Sequence, residues 1–299
     1  MSKPPFLTGV IAVPVTPFDS RDRVDFDALG RLLEHFLARG VHGIAATGTT
    51  GEFFALTTAE RKEIFRFIAE AVRGRAKLLA GTNALTTAEV IELSAAARDL
   101  NYDALLLPPP AVSRPGLADL VAHYEAVDDA VGLPILLYNN PPRSGVELGP
   151  DFLDKVSHRE RMFGIKESSG SLDRLHELVL RFGDRLEISC GSDSQAVEYF
   201  LWGATSWTAG PANVLSAEFV KVWELCAVQR DFVAGAELMR RLLPLVMFME
   251  TCGKFIQCCK YGCELEGVPV GGPRMPLRPL GDEEKARFRA LYERTKSAA

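Results

Sequence analysis

The feature that most constrains the fold is an eightfold alternation of short apolar segments with amphipathic segments. The apolar segments end at Gly, Pro, Thr or Ser, which is typical of buried strands. The segments between them carry apolar residues at helical spacing, as at Leu29, Leu32 and Phe36. Two of the helices begin with the same letters, Leu-Thr-Thr-Ala-Glu. In the first of them Thr57 and Glu60 form a capping box, which can satisfy free backbone amides. The predicted strands lie at residues 10–15, 42–46, 77–80, 104–107, 135–138, 163–166, 186–190 and 206–209.

Eight strand–helix units predict parallel strands that are joined by crossover helices. Eight is the number that closes a (β/α)8 barrel. An open doubly wound sheet is the alternative, but it has fewer strands and needs a glycine-rich turn after its first strand. The first strand here ends instead in Thr16-Pro17-Phe18. We therefore predict an α/β chain, with a TIM barrel in residues 1–229 and a C-terminal three-helix region in residues 230–299.

Bulk composition narrows the class of protein. The chain is 47% hydrophobic and 24% charged, with a net charge of -5, so it offers no basic surface for nucleic acid or anionic membranes. Its first residues lack the apolar core of a signal peptide, and no apolar run is long enough to span a membrane. We expect a cytoplasmic protein. Cys252, Cys258, Cys259 and Cys263 match no zinc spacing, so we expect packing thiols and no metal.

Lys166 is the residue with the clearest chemical meaning. It ends an apolar strand and precedes the loop Ser168-Ser169-Gly170. In a barrel, strand ends of this kind form the active site. Apolar surroundings favour the neutral amine, which can form a Schiff base with a carbonyl substrate. The alternative is a lysine that extends into solvent.

Other strand-end residues are candidates for substrate binding. The loop at residues 48–52 is rich in backbone amides beside a helix start, so Thr49 and Thr50 can hold an anion such as a carboxylate. The alternative is a plain turn, and we expect Glu52 to be structural in either case. Gly191 and Asp193 follow strand seven and are further candidates.

Tyr138 and Arg143 follow from their positions around strand five. Tyr138 ends the strand beside that of Lys166, where a phenol can shuttle protons to the amine or simply pack. Arg143 lies in a predicted loop, where it can bind a second substrate carboxylate or remain solvated. No histidine ends a predicted strand, since His42 begins one, and this argues against a metal-dependent aldolase.

Three motifs together resemble the dihydrodipicolinate synthase / N-acetylneuraminate lyase family over essentially the whole chain. They are Gly48-Thr49-Thr50-Gly51-Glu52, Tyr138-Asn139-Asn140-Pro141 and Gly164-Ile165-Lys166-Glu167-Ser168-Ser169-Gly170. The resemblance implies a Schiff base between Lys166 and a 2-oxo acid such as pyruvate, without metal or cofactor. It also implies proton transfer by Tyr138, carboxylate binding by Thr49 and Thr50, and a homotetramer built as a dimer of dimers.

Departures from the family pattern leave the substrate open. Residues 108–112 hold no tyrosine where the lysine-biosynthesis synthase has a pair, although Arg143 matches the synthase's carboxylate-binding arginine. Asp193 is followed by Ser194, whereas the sialic-acid lyases have an Asp-Glu pair. Phe53-Phe54 and the prolines at 108–110 resemble dehydratases of keto-deoxy sugar acids, and a deaminase of hydroxypyrroline carboxylate is a further alternative. A 2-oxo-acid-binding regulator is the non-enzymatic alternative.

Overall fold

Eight parallel strands form the centre of the molecule, whose computed structural model describes residues 4–297. Each strand pairs with the next, and β8 pairs with β1, so the sheet closes into a barrel. The (β/α)8 prediction is confirmed. The strands are β1 (Gly9–Ala12), β2 (Gly43–Ala46), β3 (Lys77–Gly81), β4 (Ala104–Leu107), β5 (Ile135–Asn139), β6 (Met162–Glu167), β7 (Glu187–Cys190) and β8 (Ser206–Ala209).

Helices surround the barrel and continue beyond it. Those that follow strands β1 to β8 are α1 (Phe26–Ala38), α2 (Thr58–Val72), α3 (Thr87–Asp99), α4 (Leu117–Val131), α5 (Pro141–Ser144), α6 (Pro150–Val156), α7 (Leu172–Phe182), α8 (Ala196–Leu201) and α9 (Ala212–Trp223). The C-terminal helices are α10 (Phe232–Thr251), α11 (Phe255–Leu265) and α12 (Asp282–Ser297). No helix within residues 4–297 is long and apolar enough to cross a membrane.

Local sequence accounts for where helices begin. At the start of α2, Thr57 Oγ1 accepts from the Glu60 amide, and Glu60 Oε2 accepts from the Thr57 amide at 2.8 Å. This is the predicted capping box. At the start of α3, Thr86 Oγ1 accepts from the Glu89 amide at 3.3 Å. The repeated five letters therefore produce the same kind of cap twice.

Two hydrophobic layers follow from the alternation of side chains along each strand. In β4, Ala104 and Leu106 belong to the cluster inside the barrel, whereas Leu105 and Leu107 face the helices. The cluster outside the barrel also includes Leu245 of α10, so the C-terminal helices share the core of the strand–helix units. The predicted division at residue 229 stays a prediction, and residues 1–3 and 298–299 lie outside the described residues.

The structure departs from the predicted elements most clearly at the first strand and around Arg143. The strand predicted at residues 10–15 is shorter and ends at Ala12. The loop predicted to hold Arg143 contains the four-residue helix α5, with Pro141 at its first position and Gly145 after its end at a φ of 68°. Proline suits a helix start and glycine suits the left-handed turn after a helix end. After β8, α9 continues into a π-helical segment, Glu224–Val228.

The packing of α12 supplies a test of this shared core. Phe288 is fully buried, and its ring contacts those of Phe248 on α10 and Tyr261 on α11. We expect Phe288→Ala to lower the free energy of unfolding by about 3–5 kcal/mol, because it leaves a cavity between three helices. Chemical denaturation followed by circular dichroism measures the change.

Val233→Ala is the control, since Val233 on α10 is 73% exposed. It should change the free energy of unfolding by no more than about 0.5 kcal/mol. Equal effects of the two substitutions would show that α12 does not contribute to the core.

Candidate active site

The carboxyl ends of the strands surround a cavity of about 500 Å³. Its position is the one that the barrel prescribes for an active site. The structure brings all the predicted site residues to the walls of this one cavity, namely Thr49, Thr50, Tyr138, Arg143, Lys166, Gly191 and Asp193.

Strand register places the lysine and the phenol side by side. Tyr138 on β5 is paired with Lys166 on β6, so the two side chains enter the barrel at the same level. The Lys166 Nζ lies 4.2 Å from the centroid of the Tyr138 ring, and the lysine is only 7% exposed. The amine therefore sits in the cavity against an aromatic face and does not extend into solvent.

The surroundings of Tyr138 lower the pKa of its phenol. Burial alone raises the pKa of its phenol, but the positive charge of Lys166, a hydrogen bond from Asn140 and the charge of Arg143 outweigh it, and the pKa is lowered. The Asn140 Nδ2 donates to the Tyr138 oxygen at 2.8 Å. A phenol in this state is suited to exchange protons with a neighbouring amine.

The neighbouring residue on β6 orders the loop after the lysine. Glu167 is fully buried and accepts from the Asn139 Nδ2 at 2.8 Å and from the Ser169 amide at 2.6 Å. Arg174 on α7 lies 3.7 Å from the same carboxylate. These contacts fix the end of β6, and with it the backbone that carries Lys166.

Gly191 has a steric role in placing the lysine. A β-carbon on Gly191 would lie 2.0 Å from the Ser168 Oγ and 2.8 Å from the Lys166 Cε. No side chain fits there without displacing the lysine. The glycine therefore leaves the space through which Lys166 reaches the cavity.

The turn that carries Thr49 and Thr50 is anchored on both sides. Before it, Thr47 has a φ of 46° and its hydroxyl donates to the Gly81 carbonyl at 2.9 Å. After it, the Thr16 hydroxyl donates to the Gly51 carbonyl at 2.6 Å. Glu52 is fully buried and ion-paired with Lys260 of α11, which agrees with the expectation that it is structural.

Asp193 and Glu250 form an acidic side of the cavity. Asp193 is 6% exposed and accepts from the Trp207 Nε1 at 2.8 Å. Burial, and to a smaller extent repulsion from Glu250, raises the pKa of Asp193 to about 8. Burial also raises the pKa of Glu250, which accepts from the Ser194 amide. Burial and mutual repulsion thus favour the protonated form of the carboxyl groups on this side of the cavity.

The lining residues that the sequence analysis missed include the following four. Glu250, Phe255 and Ile256 come from the ends of α10 and α11, outside the strand–helix units. No strand-end pattern could reveal them, because α10 and α11 follow the eighth strand–helix unit and reach the cavity only through tertiary packing. The fourth is Asn140, which stands directly after the strand that carries Tyr138 and could have been found there.

Arg143 lies between the main cavity and a neighbouring one of about 400 Å³. The second cavity is largely apolar, with walls that include Phe53, Phe54, Pro108 and Pro109. Phe53, Phe54, Pro108 and Pro109 therefore line this neighbouring cavity and not the one that holds Lys166.

No histidine within residues 4–297 lines this cavity, and His42 lies at the start of the strands, as expected. Its Nδ1 accepts from the Val10 amide at 3.1 Å, and its ring packs against that of Trp223 at a tilt of 60°. Among residues 4–297, no group of three His, Cys, Asp or Glu side chains is arranged to hold a metal. The described cavity therefore offers a buried amine, a phenol in contact with it and an anchored turn, which together suit imine chemistry on a carbonyl compound.

A family model describes most of the chain. Residues 6–295 match the model of the dihydrodipicolinate synthetase family. A curated relative, the 4-hydroxy-tetrahydrodipicolinate synthase 1 of Halalkalibacterium halodurans, is 32% identical over 92% of this chain and 93% of its own.

Solved structures named for the same family have the same fold as this chain. The chloride-inhibited dihydrodipicolinate synthase of Acinetobacter baumannii, complexed with pyruvate, is 30% identical with a TM-score of 0.91, covering 97% of this chain and 99% of that chain. A prophage protein of Escherichia coli K12, belonging to the dihydrodipicolinic acid synthase family and complexed with pyruvate, is 27% identical with a TM-score of 0.91, covering 97% and 98%.

The raised pKa of Asp193 predicts a pH-dependent stability. From the ordinary value of 3.8 up to about 8, the folded protein keeps a proton that the unfolded chain releases. Stability is therefore lost as the pH rises through this window. We expect Asp193→Asn to raise the free energy of unfolding at pH 8 by at least about 1 kcal/mol, with a smaller gain at pH 5.

Denaturation at the two pH values measures the difference. Asp184→Asn is the control, because Asp184 is exposed in a turn, and it should follow the wild-type pH dependence. A gain for Asp193→Asn that is the same at both pH values would contradict a carboxyl that is protonated in the folded protein.

Proposed function

Because the chain belongs to the dihydrodipicolinate synthetase family, we propose that it is a Schiff-base-forming lyase acting on a small 2-oxo acid such as pyruvate. One observation carries the proposal. The Lys166 amine is buried against the Tyr138 ring, in the cavity that Thr49 and Thr50 line. Such an amine is positioned to bond covalently to a ketone.

In the proposed first step, the substrate carboxylate binds at the Thr49–Thr50 turn, which orients the keto carbon toward the amine. The neutral Lys166 amine adds to that carbon and forms a carbinolamine. Tyr138 transfers protons between the nitrogen and the departing hydroxyl, and one water leaves as the imine forms. The lowered pKa of Tyr138 suits this exchange in both directions.

The second step uses the imine as an electron sink. Loss of a proton or a carbon substituent from the carbon next to the imine gives a neutral enamine, because the protonated nitrogen takes up the electron pair. The enamine can then add to an aldehyde or expel a leaving group. Condensation, cleavage, dehydration and deamination thus share one intermediate, and the remaining contacts of the substrate decide among them.

Trapping the imine tests the proposal directly. We expect borohydride reduction in the presence of pyruvate to add a stable mass to Lys166 in the wild-type protein. Lys166→Ala should lose the adduct completely, because no other amine is proposed to react. Mass spectrometry of intact protein and of its peptides provides the measurement.

Lys254→Ala is the matched control, since Lys254 lies at the surface before α11, where it is paired with Glu284, and not in the cavity. It should form the adduct as the wild type does. An adduct on a lysine other than Lys166, or none with any 2-oxo acid, would overturn the proposal.

A second candidate within this chemistry is 4-hydroxy-tetrahydrodipicolinate synthase of lysine biosynthesis. It is favoured by the name of the relative from Halalkalibacterium halodurans and by the placement of Arg143 on the cavity wall. Against it, residues 108–112 contain no tyrosine, so no copy of the chain supplies a second phenol from this position.

Growth complementation separates the two candidates. We expect the chain not to rescue a diaminopimelate-requiring strain, because the proton relay of the synthase lacks its tyrosine. The dihydrodipicolinate synthase of Acinetobacter baumannii serves as the positive control. Rescue would identify the synthase while leaving the Schiff-base mechanism intact.

Two further substrate classes fit the same intermediate. Keto-deoxy sugar acids would place hydroxyl groups near the acidic side formed by Asp193 and Glu250, whose carboxyls accept and donate hydrogen bonds. Hydroxypyrroline carboxylate would undergo deamination after opening on Lys166. Turnover of a panel of these acids, beside pyruvate with aspartate semialdehyde, decides among them, and binding without any turnover would instead favour a regulator.

We also propose a homotetramer, a dimer of dimers, on the basis of the family resemblance. Exposed apolar side chains support association of copies. Leu180 on α7 is 81% exposed, and Leu201 and Trp202 at the end of α8 are 54% and 45% exposed. The two helices touch through the rings of His176 and Trp202, so these residues lie on one region of the surface.

A further inference from the structure

Glu52 is a buried carboxylate directly behind the proposed carboxylate-binding turn. It has no exposed surface, and its backbone adopts a φ of 58°, which side-chain-bearing residues rarely take. Its Oε1 lies 2.8 Å from the Lys260 Nζ, and its Oε2 accepts from the Arg274 amide at 3.1 Å. Both oxygens are therefore held by the C-terminal part of the chain.

Lys260 is held as firmly as its partner. It is 4% exposed, and its Nζ donates to the Thr16 carbonyl at 2.8 Å and to the Gly272 carbonyl at 2.7 Å. The same nitrogen lies 4.4 Å from the centroid of the Phe18 ring. Together with the ion pair to Glu52, these contacts hold the ammonium group on several sides. This lysine is therefore committed to contacts and does not present a free amine to the cavity.

The contacts of Lys260 converge on the turn from two strands. Thr16, whose carbonyl it binds, also donates its hydroxyl to Gly51. Glu52, its ion-pair partner, is the next residue after Gly51. The amine thus ties the end of β1 and the turn after β2 together at one point, immediately beside Thr49 and Thr50.

A second contact from α11 reaches the same turn. A β-carbon on Gly210, after β8, would lie 2.7 Å from the Phe255 ring and 2.9 Å from the Thr50 Oγ1. Gly210 therefore leaves room for both Phe255 and Thr50 beside the end of β8. Two residues of α11 thus lie close to the turn, Lys260 through its ion pair with Glu52 and Phe255 near Thr50.

We propose that Lys260 is a positioning residue, which fixes the Thr49–Thr50 turn through its ion pair with Glu52 and so determines how tightly the substrate carboxylate is bound. This inference rests on the proposed function for its kinetic consequence. Its structural part, that Lys260 holds the turn, stands separately.

The cost of burying an unpaired charge explains why loss of the Lys260 ammonium group would disturb the Thr49–Thr50 turn. Burial lowers the pKa of Lys260 and raises that of Glu52, which disfavours both charged forms. The opposite charge of the partner counteracts this effect, so each residue keeps its charge only with the help of the other. Removal of the ammonium group leaves Glu52 with a carboxyl that is buried without its cation. The strained backbone at residue 52 then loses the contact that holds it, and the adjacent threonines lose their fixed geometry.

The experiment compares Lys260→Met, Glu52→Gln and the double variant with the wild type. We expect Lys260→Met to raise the KM for pyruvate, taken from the rate of borohydride trapping at increasing pyruvate concentration, by about tenfold. The maximal trapping rate should change by less than about threefold, because the substitution affects carboxylate binding and not the Lys166 amine. The double variant should be no worse than Lys260→Met alone, since the two residues act as one unit and no unpaired charge remains. It also guards against a single variant that fails to fold.

Lys254→Met is the matched control. Lys254 precedes α11 and is ion-paired with Glu284 on α12, at the surface and away from the turn. It should leave the KM for pyruvate unchanged. An unchanged KM in folded Lys260→Met, or an equal rise in Lys254→Met, would overturn the proposal, as would additive effects in the double variant.

A second readout does not depend on the reaction. Amide hydrogen exchange should accelerate in the peptide that covers residues 47–53 of Lys260→Met, and should stay unchanged in the peptide that covers β6. Absence of a pyruvate adduct in the wild type would reject the proposed function alone, and exchange would still decide whether Lys260 holds the turn. Unchanged exchange at residues 47–53 would reject the positioning role.

Discussion

The pairing of parallel strands in register is the constraint from which the candidate site follows. Closure of the barrel sets Tyr138 and Lys166 at the same level on adjacent strands. Their side chains must then enter the same side of the sheet, and the amine meets the ring at 4.2 Å. Neither a long loop nor a bound ion is needed to bring them together. The chemistry of the site is thus built into rigid backbone, which keeps the reacting groups in place.

Much of the barrel could be predicted from the sequence, because its signals are local. Each strand is a short apolar run, and the Thr57–Glu60 cap is contained within four residues. Lys166, Tyr138 and Thr49 could be identified because a barrel places strand ends at one rim. The helix that holds Arg143 was mistaken for a loop, since its four residues are too few to show a period.

The contribution of the C-terminal helices could not be predicted. Glu250 and Phe255 reach the cavity only because α10 and α11 pack across the barrel rim, which is a matter of tertiary contacts. The pKa of Asp193 likewise depends on Glu250, a residue far away in the chain. The spacing of the cysteines did predict that they pack as thiols, and Cys258, Cys259 and Cys263 are free and buried in α11.

The ion pair between Glu52 and Lys260 has a consequence for the order in which the molecule matures. The carboxylate belongs to the second strand–helix unit, whereas its cation and the Arg274 amide emerge from the ribosome more than two hundred residues later. A nascent chain with all eight strands already synthesised still carries this acid without its partners. The turn at Thr49 and Thr50 can therefore reach its final contacts only late in biosynthesis, once the C-terminal helices have been made.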